Sequence, residues 1–189
     1  MKVAIFGGTF DPIHIAHLEV AREATDRFNL DQVLFIPAAN PPHKSHVMGA
    51  GFEDRLRMVE LACATDRRFV PSRLEAGAEK SYSIYTIEKV RASLAPPDEL
   101  YFLIGADAFS EIETWHRWAD VVKNVTFIVV SRPGAEYDVP KGASVERLDT
   151  LAIEVSSSEI RCQLLAGQKP AALAQPVVDY IRANRLYRS

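Results

Sequence analysis

The sequence predicts an α/β fold, and three observations carry that prediction. Short, continuous apolar runs recur along the chain and end in glycine or proline. Segments with apolar residues at helical spacing lie between them. Strand and helix therefore alternate, which gives a mainly parallel sheet joined by right-handed crossovers, with helices on both faces. The pattern is that of a Rossmann-like, doubly wound fold.

The elements follow in order. Residues 3–6 form the first run, closed by Gly7 and Gly8. Residues 33–36, 100–104 and 125–130 form three more, closed by Pro37, Gly105 and the Ser131-Arg132-Pro133-Gly134 stretch. Runs this short, without polar alternation, suit strands covered on both faces. Ile15, Leu18, Ala21, Arg22 and Thr25 share helical spacing, with Ala24 and Phe28 on neighbouring rows. Leu56, Val59, Glu60 and Cys63 repeat the pattern beside Phe52 and Met58. Ile84, Ile87, Val90, Arg91 and Leu94 make another helix, which Pro96 and Pro97 stop because proline cannot continue it. Residues 38–51 carry Pro41-Pro42, two glycines and two histidines, and read as an exposed loop of a length that is usually functional. Residues 131–144 read as a surface excursion, and 176–187 as a helix followed by an aromatic tail.

The 189 residues suit a single domain, 1–189, whose last part, about 156–189, is helical. Hydrophobic residues at 48% and charged residues at 25% exclude wholesale disorder. A net charge of −3 supplies no general pull toward nucleic acid or an anionic membrane, so affinity for a phosphorylated ligand must come from a local site. No run approaches the roughly 20 apolar residues that span a bilayer, and the opening MKVAIFGG is too short for a secretory signal core. A cytoplasmic protein is expected, with Cys63 and Cys162 as reduced thiols. The oligomeric state is left open, a homo-oligomer included.

The most informative stretch is the first strand-to-helix turn, Gly7-Gly8-Thr9-Phe10-Asp11-Pro12-Ile13-His14-Ile15-Ala16-His17. Two glycines at a strand's end let a ligand approach the backbone, and the amides at the helix start favour an anion. The spacing fits neither G-x-G-x-x-G nor the P-loop pattern. His14 and His17, three apart, share a helix face. They suit phosphate contact; packed structural histidines and a metal site with Asp11 are the alternatives, although that spacing matches no common zinc pattern.

This turn resembles the H-x-G-H signature of the nucleotidylyltransferase superfamily, with Ala16 where most members carry glycine. Further segments resemble, in order, the bacterial nicotinate-nucleotide adenylyltransferases. They are Pro37-Ala38-Ala39-Asn40-Pro41-Pro42-His43-Lys44, Ser81-Tyr82-Ser83-Ile84-Tyr85-Thr86, Gly105-Ala106-Asp107 with Trp115, and Val155-Ser156-Ser157-Ser158-Glu159-Ile160-Arg161. The resemblance spans nearly the whole chain. It implies adenylyl transfer from ATP to nicotinate mononucleotide, giving nicotinate adenine dinucleotide and pyrophosphate, a late step of NAD synthesis. The resemblance further implies direct attack on the α-phosphorus, assisted by Mg2+, with no covalent intermediate.

The same resemblance assigns candidate roles. Gly7, Gly8, Thr9 and Phe10 belong to the turn around the triphosphate. His14 and His17 steady the ATP phosphates. Ser156, Ser157, Ser158 and Arg161 face the outer phosphates, and His14, His17 and Arg161 form the catalytic set. Asn40, Lys44, Thr86, Asp107 and Trp115 fall to the mononucleotide, while Trp118, outside the resemblance, is read as core because tryptophans are commonly buried. No protein residue is expected to be a metal ligand. Ser156 with Glu159 three residues later also reads as a capping box, which is compatible with a phosphate seat. Ser83 and Tyr85 depart from the family's usual residues in the mononucleotide pocket, where Thr and Asp or Asn are more common. Another adenylyl or cytidylyl transferase of the same fold, such as the phosphopantetheine enzyme, and a nucleotide sensor without turnover are the competing readings.

Overall fold

The structure, a computed structural model, describes residues 1–40, 49–151 and 155–188. Its centre is a six-stranded sheet built from β1 (Lys2–Gly8), β2 (Gln32–Pro37), β3 (Phe69–Pro71), β4 (Glu99–Gly105), β5 (Thr126–Ser131) and β6 (Ser144–Asp149). The strand order is β3-β2-β1-β4-β5-β6 and every neighbouring pair is parallel. The helices are α1 (Ile15–Phe28), α2 (Phe52–Cys63), α3 (Ser83–Ser93), α4 (Ala106–Ser110), α5 (Trp118–Asn124), α6 (Ser157–Leu165) and α7 (Gln175–Ala183). The four apolar runs are β1, β2, β4 and β5, and the three periodic segments are α1, α2 and α3.

The continuous apolar character of the central strands has a direct cause. Successive side chains point to opposite faces, and both faces are covered. Ala4, Leu103 and Ile128 pack into one core with residues of α1, α2, α6 and α7. Val3, Ile5, Phe102, Ile104 and Phe127 pack into the other with residues of α3, α4 and α5.

The sequence reading misses the two outer strands. Ser144-Val145-Glu146-Arg147-Leu148-Asp149 carries only two apolar residues because β6 is an edge strand in which Leu148 alone is buried. β3 is only three residues long and gives no periodic signal. The short α4 and α5 escape for the same reason. α1 ends at Asn29 in the left-handed conformation, whose N–H bonds back to the Thr25 carbonyl.

One feature of the sheet positions the site. The β1–β2 ladder runs out to Gly8 opposite Pro37, and β4–β5 runs out to Gly105 opposite Val130. The β1–β4 ladder stops earlier, at Ile5 opposite Phe102. The two central strands therefore part at their carboxyl ends. This is also where the strand order reverses, the place at which doubly wound sheets bind ligands.

Candidate active site

Two clefts open on either side of the parted strands and share Phe6 and Gly105 as a common wall. The larger, about 480 Å3, is lined by Gly7, Gly8 and Thr9 of the first turn, by Ser81, Tyr82 and Ser83 at the start of α3, and by Trp115 and His116. The second, about 340 Å3, is lined by His14, Ala16 and His17 of α1 and by Ser156 and Ser157 at the start of α6. Two helix amino ends thus face one space, with their first amides and positive dipole ends turned toward it.

The first turn holds its shape through internal packing. Phe10 adopts a left-handed backbone (φ 49°) and turns its ring into the core, against Phe6, Phe35 and His17. A Cβ on Gly8 would lie 3.0 Å from that ring, so glycine is what permits the close fold. The expected ligand contact from Phe10 therefore does not come from its side chain, which supports the turn from beneath.

His14 is the residue before α1 and His17 lies in its first turn. Their rings stack at 3.7 Å, and His17 Nδ1 accepts the His14 backbone N–H at 3.2 Å. His14 is only 6% exposed, and its Nδ1 is buried without a hydrogen-bond partner. Burial pushes the His14 ring down to about pKa 4, so it is neutral at pH 7 in these surroundings. A phosphate brought against it favours the protonated form and moves that value upward.

α6 is fastened to the first turn by its own side chains. Ser156 caps the helix by accepting the Glu159 N–H at 3.2 Å, the serine half of the expected capping box. Ser157 Oγ donates to the Pro12 carbonyl at 3.0 Å. Arg161 Nη1 donates to the Asp11 carbonyl at 2.7 Å and Nη2 to Ser158 Oγ at 3.2 Å, while the side chain stays 31% exposed. The structure thus brings His14, His17, Ser156 and Ser157 together as lining of the second cleft, while Ser158 and Arg161 are not among its lining residues and pair with each other beside the Asp11 carbonyl.

The residues expected at the mononucleotide divide. Trp115 is half-buried and lines the larger cleft, its ring edge-on to Phe102 at 6.0 Å. Trp118 packs against the core as expected. Thr86 does not face the cleft: it is buried and donates its hydroxyl to Glu75 Oε1 at 2.6 Å, and it is Glu75 and Ser83 that line the wall. Asn40 spends its side-chain amide on the Glu79 carbonyl at 2.6 Å and its N–H on Ser81 Oγ at 3.0 Å, so it braces the rim. Asp107 is exposed in the first turn of α4, between the lining residues Gly105 and Ala108. Lys44 lies outside the described residues.

Two residues have structural roles that sequence reasoning does not find, Asp11 being weighed there only as a possible metal ligand. Asp11 is 4% exposed; its carboxylate accepts the N–H groups of Gly49 (2.8 Å) and Ala50 (3.1 Å) and the Tyr187 hydroxyl (2.6 Å). Arg55, with no exposed surface, donates to the Thr9 carbonyl at 2.6 Å and the Ala50 carbonyl at 3.3 Å. A fully buried arginine in an otherwise ordinary amphipathic helix carries no signal in spacing alone.

Among the described residues, no three His, Cys, Asp or Glu side chains gather as a metal cage. None of the described helices is long and apolar enough to cross a membrane.

Comparison with known proteins fits this geometry. Residues 5–163 match the cytidylyltransferase-like family model. A protein of Solibacter usitatus (strain Ellin6076), described as a probable nicotinate-nucleotide adenylyltransferase, is 62% identical over 99% of this chain and 100% of its own length. One of the same description from Pelobacter propionicus is 39% identical over 99% and 98%. The solved nicotinic acid mononucleotide adenylyltransferase of Plasmodium falciparum, complexed with NaAD, shares the fold. Its TM-score is 0.79 at 21% identity, covering 98% of this chain and 97% of that one. The breadth of the family match and of the curated relatives means that this chain belongs to the nicotinate-nucleotide adenylyltransferases, within the cytidylyltransferase-like family.

Proposed function

We propose that the chain transfers the adenylyl group of ATP to nicotinate mononucleotide, releasing pyrophosphate and forming nicotinate adenine dinucleotide. The observation that carries this reading is the pair of clefts meeting at Phe6 and Gly105. One is framed by imidazoles, hydroxyls and helix amides suited to a triphosphate. The other is walled by aromatic rings suited to a pyridine nucleotide. The two phosphate groups that react must meet at the shared wall.

In the proposed reaction a phosphate oxygen of the mononucleotide attacks the ATP α-phosphorus in line. The new P–O bond forms as the bond from the α-phosphorus to the α–β bridging oxygen breaks, and pyrophosphate leaves with that electron pair. Both substrates bring their reacting groups, so no serine or cysteine nucleophile is required. What the chain supplies is alignment and charge stabilisation. The amides of the first turn and of α6 hold phosphate oxygens. His14 and His17 donate to them, and Arg161 adds a fixed positive charge as negative charge shifts to the leaving pyrophosphate.

Mg2+ fits this arrangement as an ion carried on the triphosphate, since hard cations take phosphate oxygens and water and the described residues offer no dedicated cage. When bound it neutralises phosphate charge. On the mononucleotide side, Trp115 lies along the pyridine ring, and Ser83 and the backbone beside Trp115 and His116 meet its carboxylate. The test is pyrophosphate release with ATP, Mg2+ and nicotinate mononucleotide, with the dinucleotide identified by mass. Stoichiometric formation of both products is expected. ATP binding without turnover would overturn the reading in favour of a nucleotide sensor.

A further inference from the structure

We infer that Tyr187, close to the end of the chain, is a positioning residue that sets the Arg161 guanidinium through Asp11 and Gly49. The inference rests on the reading above only in taking α6 to face the triphosphate.

Three contacts define the assembly. Tyr187 is 7% exposed, sits in a left-handed backbone conformation (φ 55°), and donates its hydroxyl to Asp11 Oδ1 at 2.6 Å. Asp11 in turn offers its main-chain carbonyl to Arg161 at 2.7 Å and its carboxylate to the Gly49 N–H at 2.8 Å, with Arg161 Nη1 4.0 Å from Oδ2. Gly49 closes the triangle. A Cβ there would stand 2.7 Å from the Tyr187 ring and 3.1 Å from Arg161 Cδ, so the ring and the arginine stem both pack against the bare Gly49 backbone.

The consequence is geometric. A buried carboxylate must keep its hydrogen-bond partners, because an unpaired charge away from water is costly. Asp11 is therefore held in one orientation by Tyr187 and by the Gly49 and Ala50 amides. Its carbonyl, fixed by the same main chain, sets where the Arg161 fork lies. Arg161 also bonds Ser158 Oγ, and a guanidinium so constrained presents its remaining donors in one direction. Misplacement by about 1 Å of a group that positions substrate can cost roughly 10²-fold in rate. A purely structural Tyr187 would matter for its buried ring. A positioning Tyr187 matters for its hydroxyl.

The variant Tyr187→Phe separates the two, since it keeps the ring and removes only the oxygen. The expected result is a thermal midpoint within a few degrees of the parent and kcat/KM for ATP reduced about tenfold. Arg161→Ala and the double variant complete the cycle. If Tyr187 acts through Arg161, adding Tyr187→Phe to Arg161→Ala changes kcat/KM less than twofold. Equal losses in both backgrounds, or an unchanged kcat/KM in the single variant, would overturn the inference.

Gly49→Ala provides a second probe should Tyr187→Phe fold poorly. It crowds the ring and the arginine stem without touching the hydroxyl, and it should also lower kcat/KM several-fold; parent-like activity in the folded variant would count equally against the inference. ATP affinity by calorimetry on the same set keeps it separate from the proposed reaction. Should the parent chain bind ATP but form no dinucleotide, the reaction fails while a weaker, Arg161-dependent ATP affinity in Tyr187→Phe still supports the positioning role. ATP affinity unchanged in Tyr187→Phe would then sink it.

Discussion

The two clefts are built from different materials. Around the smaller one, side chains are tied into main chain: His17 to the His14 N–H, Ser157 to the Pro12 carbonyl, Arg161 to the Asp11 carbonyl. Around the larger one, the wall is mostly ring faces and small side chains. The Tyr82 ring lies tilted against His116 at 4.4 Å, and Tyr85, on the exposed rim, reaches His116 Nε2 at 3.3 Å. A charged triphosphate needs donors fixed before it arrives, because reorganising them would raise the barrier. A flat aromatic ring is held by area and shape, which exposed side chains can supply and which substitution can retune. The contrast predicts that changes at the smaller cleft act on chemistry and changes at the larger on selection.

The largest expected effect tests the first half of that contrast. His17→Ala should lower kcat/KM by about 10²–10³, the usual loss on removing one donor to transition-state charge, while the thermal midpoint moves by only a few degrees. Pyrophosphate release and a melting curve on the same sample check it. Near-parental turnover would remove His17 from the catalytic set.

Next comes the acid sensitivity of His14. Its ring is held near pKa 4 against an ordinary 6.5, by burial. Because the folded value lies below the unfolded one, the unfolded chain takes up the proton first. Stability is therefore flat above about pH 6.5 and is lost as pH falls toward 4, by at most about 2 kcal/mol at pH 5. Denaturant midpoints from pH 8 to 5 should show this loss for the parent and a flatter profile for His14→Gln. Parallel profiles would mean that other groups dominate.

Two smaller effects sharpen the second half. Trp115→Ala should raise KM for nicotinate mononucleotide about tenfold and leave the ATP dissociation constant unchanged, whereas a shared loss would show that the clefts are not separate. In the parent, the acid mononucleotide should exceed the amide at least tenfold in kcat/KM, since a site built for a carboxylate leaves its donors unpaired against the amide. Equality would withdraw carboxylate recognition from this wall. The smallest change is Ala16→Gly. Removing the methyl from the lining of the second cleft should lower KM for ATP two- to threefold, at a helix cost of up to about 1 kcal/mol.

What was legible in the sequence follows from the same physics. β1, β2, β4 and β5 could be read because both their faces are buried, so their apolar runs are unbroken. β6 could not, because an edge strand with a single buried residue looks like loop in a polar neighbourhood. At the site, His14, His17, Ser156 to Ser158 and Arg161 are local to two helix starts, and a local motif carries them. Asp11, Arg55 and Tyr187 act over long sequence separations: Asp11 and Tyr187 lie 176 residues apart, and no spacing rule connects them. Thr86 misled for a related reason. Helical spacing gives the face but not the partner, and its partner is Glu75, which takes the place in the cleft wall expected of Thr86.

The early parting of β1 from β4 has a practical consequence. The floor of the larger cleft takes in Gly7 and Gly8 from the end of β1 and Leu103 to Gly105 from the end of β4, and Phe6 and Gly105 are shared with the smaller one. Point substitutions that silence the imidazoles leave that floor in place. A slowed variant such as His17→Ala should consequently still seat both nucleotides side by side, which makes it the natural starting material for crystallising the enzyme with the pair caught before they join.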